Sequence, residues 1–116
     1  MLSPHFSRDE FACNCGCGFD TVDTETLEVL EAVREHFDSP VTITSGCRCT
    51  SYNRKVGGAT NSQHRFARAA DFQVEDVEPE TVREWLSLHY PDLSIGEYET
   101  FTHIDTRTNG PKRWRR

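Results

Sequence analysis

Two stretches with helical apolar spacing, each closed by a proline, do most to limit what this chain can fold into. Leu27, Leu30, Val33 and Phe37 recur at helical intervals behind Asp23 and Thr24, either of which can cap the first turn, and Pro40 ends the run. Val82, Trp85, Leu86 and His89 repeat the pattern behind Pro79, which suits a first helical position, and Pro91 ends it. Val41, Thr42, Ile43 and Thr44 are β-branched, as a buried strand would be. Residues 69–74 alternate, with Ala69, Asp71 and Gln73 on one face and Ala70, Phe72 and Val74 on the other. Residues 94–98 and 101–106 predict a hairpin that places His103 and Asp105 on the face of Phe101. Ser7 and Glu10 form a capping box that opens a short helical turn. The expectation is an α+β domain, a small and mainly antiparallel sheet flanked by helices. It fills residues 1–116 as one unit, in line with roughly 100–200 residues per domain.

Residues 45–63 hold turn formers such as Gly57, Gly58 and Asn61 and no sustained apolar period, which predicts a loop with a helical turn near Tyr52. Loops of this length usually carry function. Lys and Arg number 13 against 19 for Asp and Glu, a formal net charge of -6, which argues against nucleic acid as a partner. The basic tail, residues 112–116, reads as a solubilising tail or as a foothold on an anionic polymer such as a bacterial wall. No apolar run approaches ~20 residues, so no membrane span is expected. Residues 1–20 lack the basic start and apolar middle of a secretory signal.

Five cysteines fall in two groups, Cys13, Cys15 and Cys17 in a Cys-rich segment at 11–19, and Cys47 and Cys49. In an extended segment residues two apart share a side, so each C-x-C pair could offer two thiolates to one soft metal ion. A disulfide between the groups and reduced thiols beneath a loop are the competing readings, and the odd count leaves at least one thiol unpaired. A second set of polar residues stands at strand ends: His64, Asp71, His103 and Asp105. Two imidazoles and a carboxylate suit zinc, which in hydrolytic sites takes three protein ligands and keeps one position for water. The plainer reading is that each is a satisfied polar residue. His36 and His89 sit in the last turns of their helices, where an imidazolium complements the dipole.

The run Ser45-Gly46-Cys47-Arg48, then Asn53, Val56-Gly57-Gly58, Ser62-Gln63-His64, Ala69-Ala70-Asp71 and Phe101-Thr102-His103-Ile104-Asp105, with Arg107 and Trp114, resembles the zinc D-alanyl-D-alanine carboxypeptidase family. This family of murein peptidases shares its fold with the hedgehog signalling domain, and the branch most similar here contains small phage endolysins and bacterial cell-wall peptidases. The resemblance implies a zinc metallopeptidase acting on peptidoglycan stem peptides, as a carboxypeptidase or an endopeptidase, with a catalytic zinc and room for a second, structural one. It implies His64, Asp71 and His103 as zinc ligands, Arg48 as a group that pairs with a substrate carboxylate or holds the loop, and Ser62 and Gln63 as groups that orient His64 or donate to a peptide carbonyl of the substrate. Asp105 matches a residue that serves as general base or orients the zinc site, and it is the first choice for base, with Glu97 and Glu99 in reserve, because the positions where other branches carry the base are Thr100 and Phe101 here. Ala67 stands where many relatives have glycine. A monomer is expected, accumulating in the cytoplasm of a phage host for release to the wall, or carried on a virion. The hedgehog relationship also keeps open a non-catalytic, zinc-containing wall-binding or phage structural module.

Overall fold

In a computed structural model that describes residues 2–115, the face that each strand residue takes is decided by parity around one central pair. Strand β2 (Ala69–Val74) runs antiparallel to β4 (Thr102–Asp105), with Asp71 opposite His103 and Ala70 opposite Ile104. Strand β3 (Ser94–Glu97) pairs antiparallel on the far side of β4, with Gly96 opposite His103, and β1 (Val41–Ser45) pairs antiparallel with β2. The order is β1-β2-β4-β3-β5, with β5 the short strand Arg113–Arg115, so the sheet is mainly antiparallel, as its alternating pattern predicts.

One face is apolar. Ala70, Phe72, Val74, Ile95 and Ile104 pack there against Val29, Leu30 and Val33 of α1 (Thr24–Phe37) and Val82 and Leu86 of α3 (Pro79–His89), together with Phe6 and Phe11. Fully burying side chains of this size stabilises by about 1.5–3 kcal/mol each, which pins the register of β2 and β4 and so the direction of their polar neighbours. Asp23 caps α1 by accepting from the Thr26 N–H at 3.2 Å. The opposite face carries Ala69, Asp71, Ser94, Gly96, His103 and Asp105. It is overlaid by the segment between β1 and β2, which contains a short helix α2 (Thr50–Lys55) and a 3-10 turn (Gln63–Phe66).

Two features depart from the sequence reading. The basic tail is not simply a solvated end: Arg113–Arg115 form β5, parallel to β3, with Trp114 beside Gly96. Arg113 donates to the Leu93 carbonyl at 2.9 Å and to Ser87 Oγ at 3.0 Å, and Arg115 pairs with Glu97, so both cations are spent within the fold. A three-residue strand is too short for its alternation to betray it, and its partner lies 18 residues upstream. Arg116, counted with that tail, lies outside the described residues. The second feature is a register shift between Ile43 and Ser45, which places Ser45 opposite Asp71 and turns the end of β1 onto the polar face.

Candidate metal centre

His64, Asp71 and His103 come from three elements, and one ligand atom from each lies within 4.8 Å of the others. His64 Nε2 is 3.2 Å from Asp71 Oδ1, and His103 Nδ1 is 2.8 Å from the same oxygen. The other nitrogen of each ring is occupied. His64 Nδ1 donates to the Gly46 carbonyl at 2.6 Å, which can only accept, so Nε2 presents its lone pair to the centre. His103 Nε2 donates to Asp105 Oδ2 at 2.7 Å, which leaves Nδ1 facing Asp71. Three acceptors therefore converge on one buried point, an arrangement that only a cation satisfies. A proton on His103 Nδ1, 2.8 Å from Asp71 Oδ1, would satisfy the same acceptors. Burial disfavours a charge on His103, but the hydrogen bonds to Asp105 and Asp71 outweigh it and raise its pKa. The same bonds overcome burial at Asp71 and hold its carboxyl well below the usual carboxylate range. The donor set, two imidazoles and one carboxylate with orienting partners on both rings, is one that zinc takes.

The backbone around the triad is shaped for this. Ser62 caps the 3-10 turn by accepting from the His64 N–H at 3.3 Å. Gly46 approaches the chain so closely that a Cβ there would meet the Phe11 carbonyl oxygen at 2.5 Å, which explains glycine at the position that serves His64. Ala67 closes the turn in the left-handed region at φ 57°, with its Cβ accommodated. Gln63 leaves its buried Oε1 without a partner among the described residues.

The arginine and the three acids fall in distinct places. Arg48 donates to Ser45 Oγ and Asn53 Oδ1, each at 3.2 Å, and its Nη2 lies 3.5 Å from Asp71 Oδ2. It thus bridges the loop to the free oxygen of the triad carboxylate. Asp105 is 0% exposed and saturated. Its Oδ1 accepts from the Arg107 backbone N–H and from Nε at 2.7 Å, and its Oδ2 accepts from Arg107 Nη2 at 2.6 Å and from His103. Burial would raise its pKa, but Arg107 and His103 overcome that and depress it. This carboxylate orients His103 and has no lone pair turned to solvent. Glu97 points to the opposite face of the sheet, one residue out of phase with Gly96, where it pairs with Arg83 of α3 at 3.4 Å. Its place as a reserve base is corrected by that parity. Glu99 is exposed in the turn between β3 and β4, because β4 begins only at Thr102 and the unbroken strand needed to align it with His103 does not exist.

An aromatic wall completes the centre. Trp114 lies against His103 with ring centroids 5.0 Å apart, donates from Nε1 to Tyr98 Oη at 3.1 Å, and has the Arg107 guanidinium over its ring at 5.3 Å. A Cβ on Gly96 would meet that indole at 2.6 Å. Tyr98 in turn stacks on Phe101. Tyr98 does not stand out in the sequence as a site residue and Asn53 does so only as part of the motif, because each acts through a neighbour brought by the fold.

The cysteines form a second cluster. The sulfurs of Cys13, Cys15, Cys17 and Cys49 lie within 4.8 Å of one another, with Cys13–Cys15 at 3.5 Å, Cys15–Cys49 at 3.6 Å and Cys13–Cys49 at 3.8 Å. These spacings exceed a disulfide bond and match the edge of about 3.8 Å that a tetrahedron with Zn–S bonds near 2.3 Å requires. Burial works against charge on Cys13, but the Cys15 and Cys49 backbone N–H groups and the neighbouring thiols bring it down to about 7. Hydrogen bonding to Cys13 and Cys17 pushes Cys15 up to about 12. Such a set suits a structural zinc. Cys47 is not in it. Its thiol donates to the Phe11 and Phe19 carbonyls at 3.1 Å, so the second C-x-C is divided. Cys49 caps α2, and the chain turns there rather than continuing extended.

A family model described as Peptidase M15 matches residues 4–105 of this chain, ending at Asp105 and so before Arg107 and Trp114. The zinc D-Ala-D-Ala carboxypeptidase of Streptomyces albus G is 43% identical over 47 residues, a stretch that covers 40% of this chain and 18% of that protein.

Proposed function

The chain belongs to the peptidase M15 family, and on that premise we propose that it is a zinc-dependent peptidase that hydrolyses peptide bonds of bacterial peptidoglycan. The observation that carries this reading is the convergence of three acceptors, His64 Nε2, Asp71 Oδ1 and His103 Nδ1, whose rings are held in the required tautomers by Gly46 and Asp105. Zinc held there supplies a Lewis acid and a bound water acidified towards neutrality.

The remaining work falls to the chain. Asp105 holds the His103 ring, and Arg107 holds Asp105. Arg48 keeps one oxygen of Asp71 engaged, so that the other serves the centre. Trp114 covers one side of His103 and limits water there. Of the three acids considered for proton transfer, Asp105 is saturated and Glu97 is on the far face, which leaves Glu99 as our assignment for the group that accepts the proton and returns it to the leaving amine.

The test is to incubate zinc-loaded protein with purified sacculi and with synthetic stem peptides, and to weigh the products. Loss of a terminal D-alanine identifies a carboxypeptidase, and an internal cut identifies an endopeptidase of endolysin type. Glu99→Gln should lower turnover about 100-fold or more, and Glu97→Gln should not. A second reading, a zinc-containing wall-binding module without turnover, is favoured by one observation, that the acid nearest the triad is fully engaged. Binding to sacculi with no product would establish it.

A further inference from the structure

The consecutive residues Gly46, Cys47, Arg48 and Cys49 serve both side-chain clusters. Towards the triad, the Gly46 carbonyl accepts from His64 Nδ1 at 2.6 Å, the Arg48 N–H donates to the His64 carbonyl at 2.9 Å, and Arg48 Nη2 stands 3.5 Å from Asp71 Oδ2. Towards the thiols, the Cys47 N–H donates to the Phe11 carbonyl at 3.0 Å and the Cys49 N–H donates to Cys13 Sγ at 3.4 Å. Cys49 Sγ lies 3.6 Å from Cys15 Sγ and accepts from the Tyr52 N–H, so α2 starts from the same sulfur. Residues 46–49 are therefore a strap with one edge on the metal ligands and the other on segment 11–19. Whatever holds the thiols in place also holds the two groups that aim His64 and engage Asp71. Access to the two ends differs. Cys15 and Cys17 are exposed, whereas His64, Asp71 and His103 are all buried.

We propose that the cluster of Cys13, Cys15, Cys17 and Cys49 is an oxidation site that controls metal affinity at the triad through strap 46–49, with a peroxide as oxidant and Cys15 and Cys49 as the reacting pair. The inference rests on reading the triad as the zinc centre of a peptidase, and it adds the regulation of that centre. Cys15 is the reachable sulfur, and as a thiolate it breaks the peroxide O–O bond to give a sulfenic acid. The Cys49 thiolate then forms the S–S bond and expels that oxygen. Two electrons pass from sulfur to oxygen, and two waters leave, completed by two protons from solvent. Cys13 and Cys17 alone no longer make a four-thiolate set, so the cluster gives up its ion. Bonding draws the Cys15 and Cys49 sulfurs well inside their present 3.6 Å, which takes Cys49 from its place at Cys13 and at the cap of α2. Arg48 is its direct neighbour and Gly46 lies three residues before it, so the contacts to Asp71 and His64 loosen together. Partners that orient metal ligands are worth roughly 10–100-fold in metal affinity.

The experiment treats the full zinc-loaded chain with hydrogen peroxide and compares it with untreated protein, with treated protein returned to dithiothreitol and zinc, and with Cys49→Ser and Cys47→Ala. Peptide mapping locates the disulfide, circular dichroism follows the fold, and competition against a chromophoric chelator reads the affinity of the ion that disappears in His64→Ala. Oxidised protein should carry a Cys15–Cys49 disulfide, keep its helical signal and hold that ion about tenfold or more weakly, with recovery on reduction. Cys49→Ser should show the weakening without peroxide and no further change with it. Cys47→Ala, on the same strap but outside the cluster, should respond as wild type does. Unchanged triad affinity in the disulfide form overturns the proposal and leaves the peptidase reading intact, a comparison that needs no variant. A disulfide that excludes Cys49, or loss of the fold on oxidation, overturns it as well. If the coupling is found but no peptide is cut in either state, the hydrolytic reading fails and the switch stands. If no bound ion depends on His64, both fail.

Discussion

Replacing Asp105 by Asn separates an orienting carboxylate from a catalytic base. The native side chain accepts four hydrogen bonds, three from Arg107 and one from His103, at 2.6–3.2 Å and with no exposure. An amide keeps one acceptor and puts an NH2 where the other was, so it faces a donor in either orientation. Removing one member of a buried ion pair costs about 3–5 kcal/mol. Loss of the partner that aims a metal-bound imidazole weakens metal binding by roughly 10–100-fold, about 1.4–2.7 kcal/mol. Thermal unfolding of the apoprotein should report the first quantity, and competition against a chromophoric zinc chelator the second. Peptide cleavage titrated with zinc then decides the role. If Asp105 orients His103, saturating zinc restores turnover to within about tenfold of wild type. If it were the proton acceptor, a deficit of about 100- to 10,000-fold would persist at saturation with zinc affinity unchanged, and that result would refute the assignment.

Zinc content should be two per chain, falling to one in Cys49→Ser and in His64→Ala, whereas Cys47→Ala keeps both ions and costs only about 1 kcal/mol; elemental analysis that finds Cys47 required would contradict the cluster drawn here. Gly96→Ala should destabilise by about 1–3 kcal/mol because its methyl meets the Trp114 indole, and the penalty should shrink in a Trp114→Ala background, so a double-mutant cycle by denaturant unfolding should give a coupling near 1 kcal/mol. The raised pKa of His103 means that its imidazolium bridge stabilises the apoprotein below its unfolded value of about 6.5 and is lost as pH rises through the raised folded value. Melting temperature against pH should therefore fall on the alkaline side for chelator-treated protein and hold for the zinc-loaded form, and parallel curves would count against the shared cation site.

Much of this protein is legible from local chemistry. The caps at Ser7 and Asp23, the prolines that end α1 and α3 and the alternation of residues 69–74 act over a few residues, and the corresponding elements stand where they are expected. The motif residues His64, Asp71 and His103 are also visible, because their side chains suit a metal and the family resemblance points to the same three, while strand parity takes Asp71 off the apolar face. Other assignments depend on which distant groups arrive beside them. The linear chain ranks Asp105 ahead of Glu97 as a base but does not show which groups engage either acid. Arg107 and the sheet register make one a saturated support for His103 and send the other to α3. The division of Cys47 from Cys49 follows from the cap of α2, and the inclusion of Trp114 follows from a parallel pairing between β3 and a terminal segment.

Composition and short-range pattern thus determined the α+β class, the apolar face and the residue types able to hold a metal, since these depend on propensity and on periods of two and 3.6. Tertiary structure alone decided which thiols cluster and which carboxylate keeps a free lone pair. Those outcomes depend on distances of a few ångströms between residues tens of positions apart, and such distances exist only once the sheet register and the overlying loop have closed.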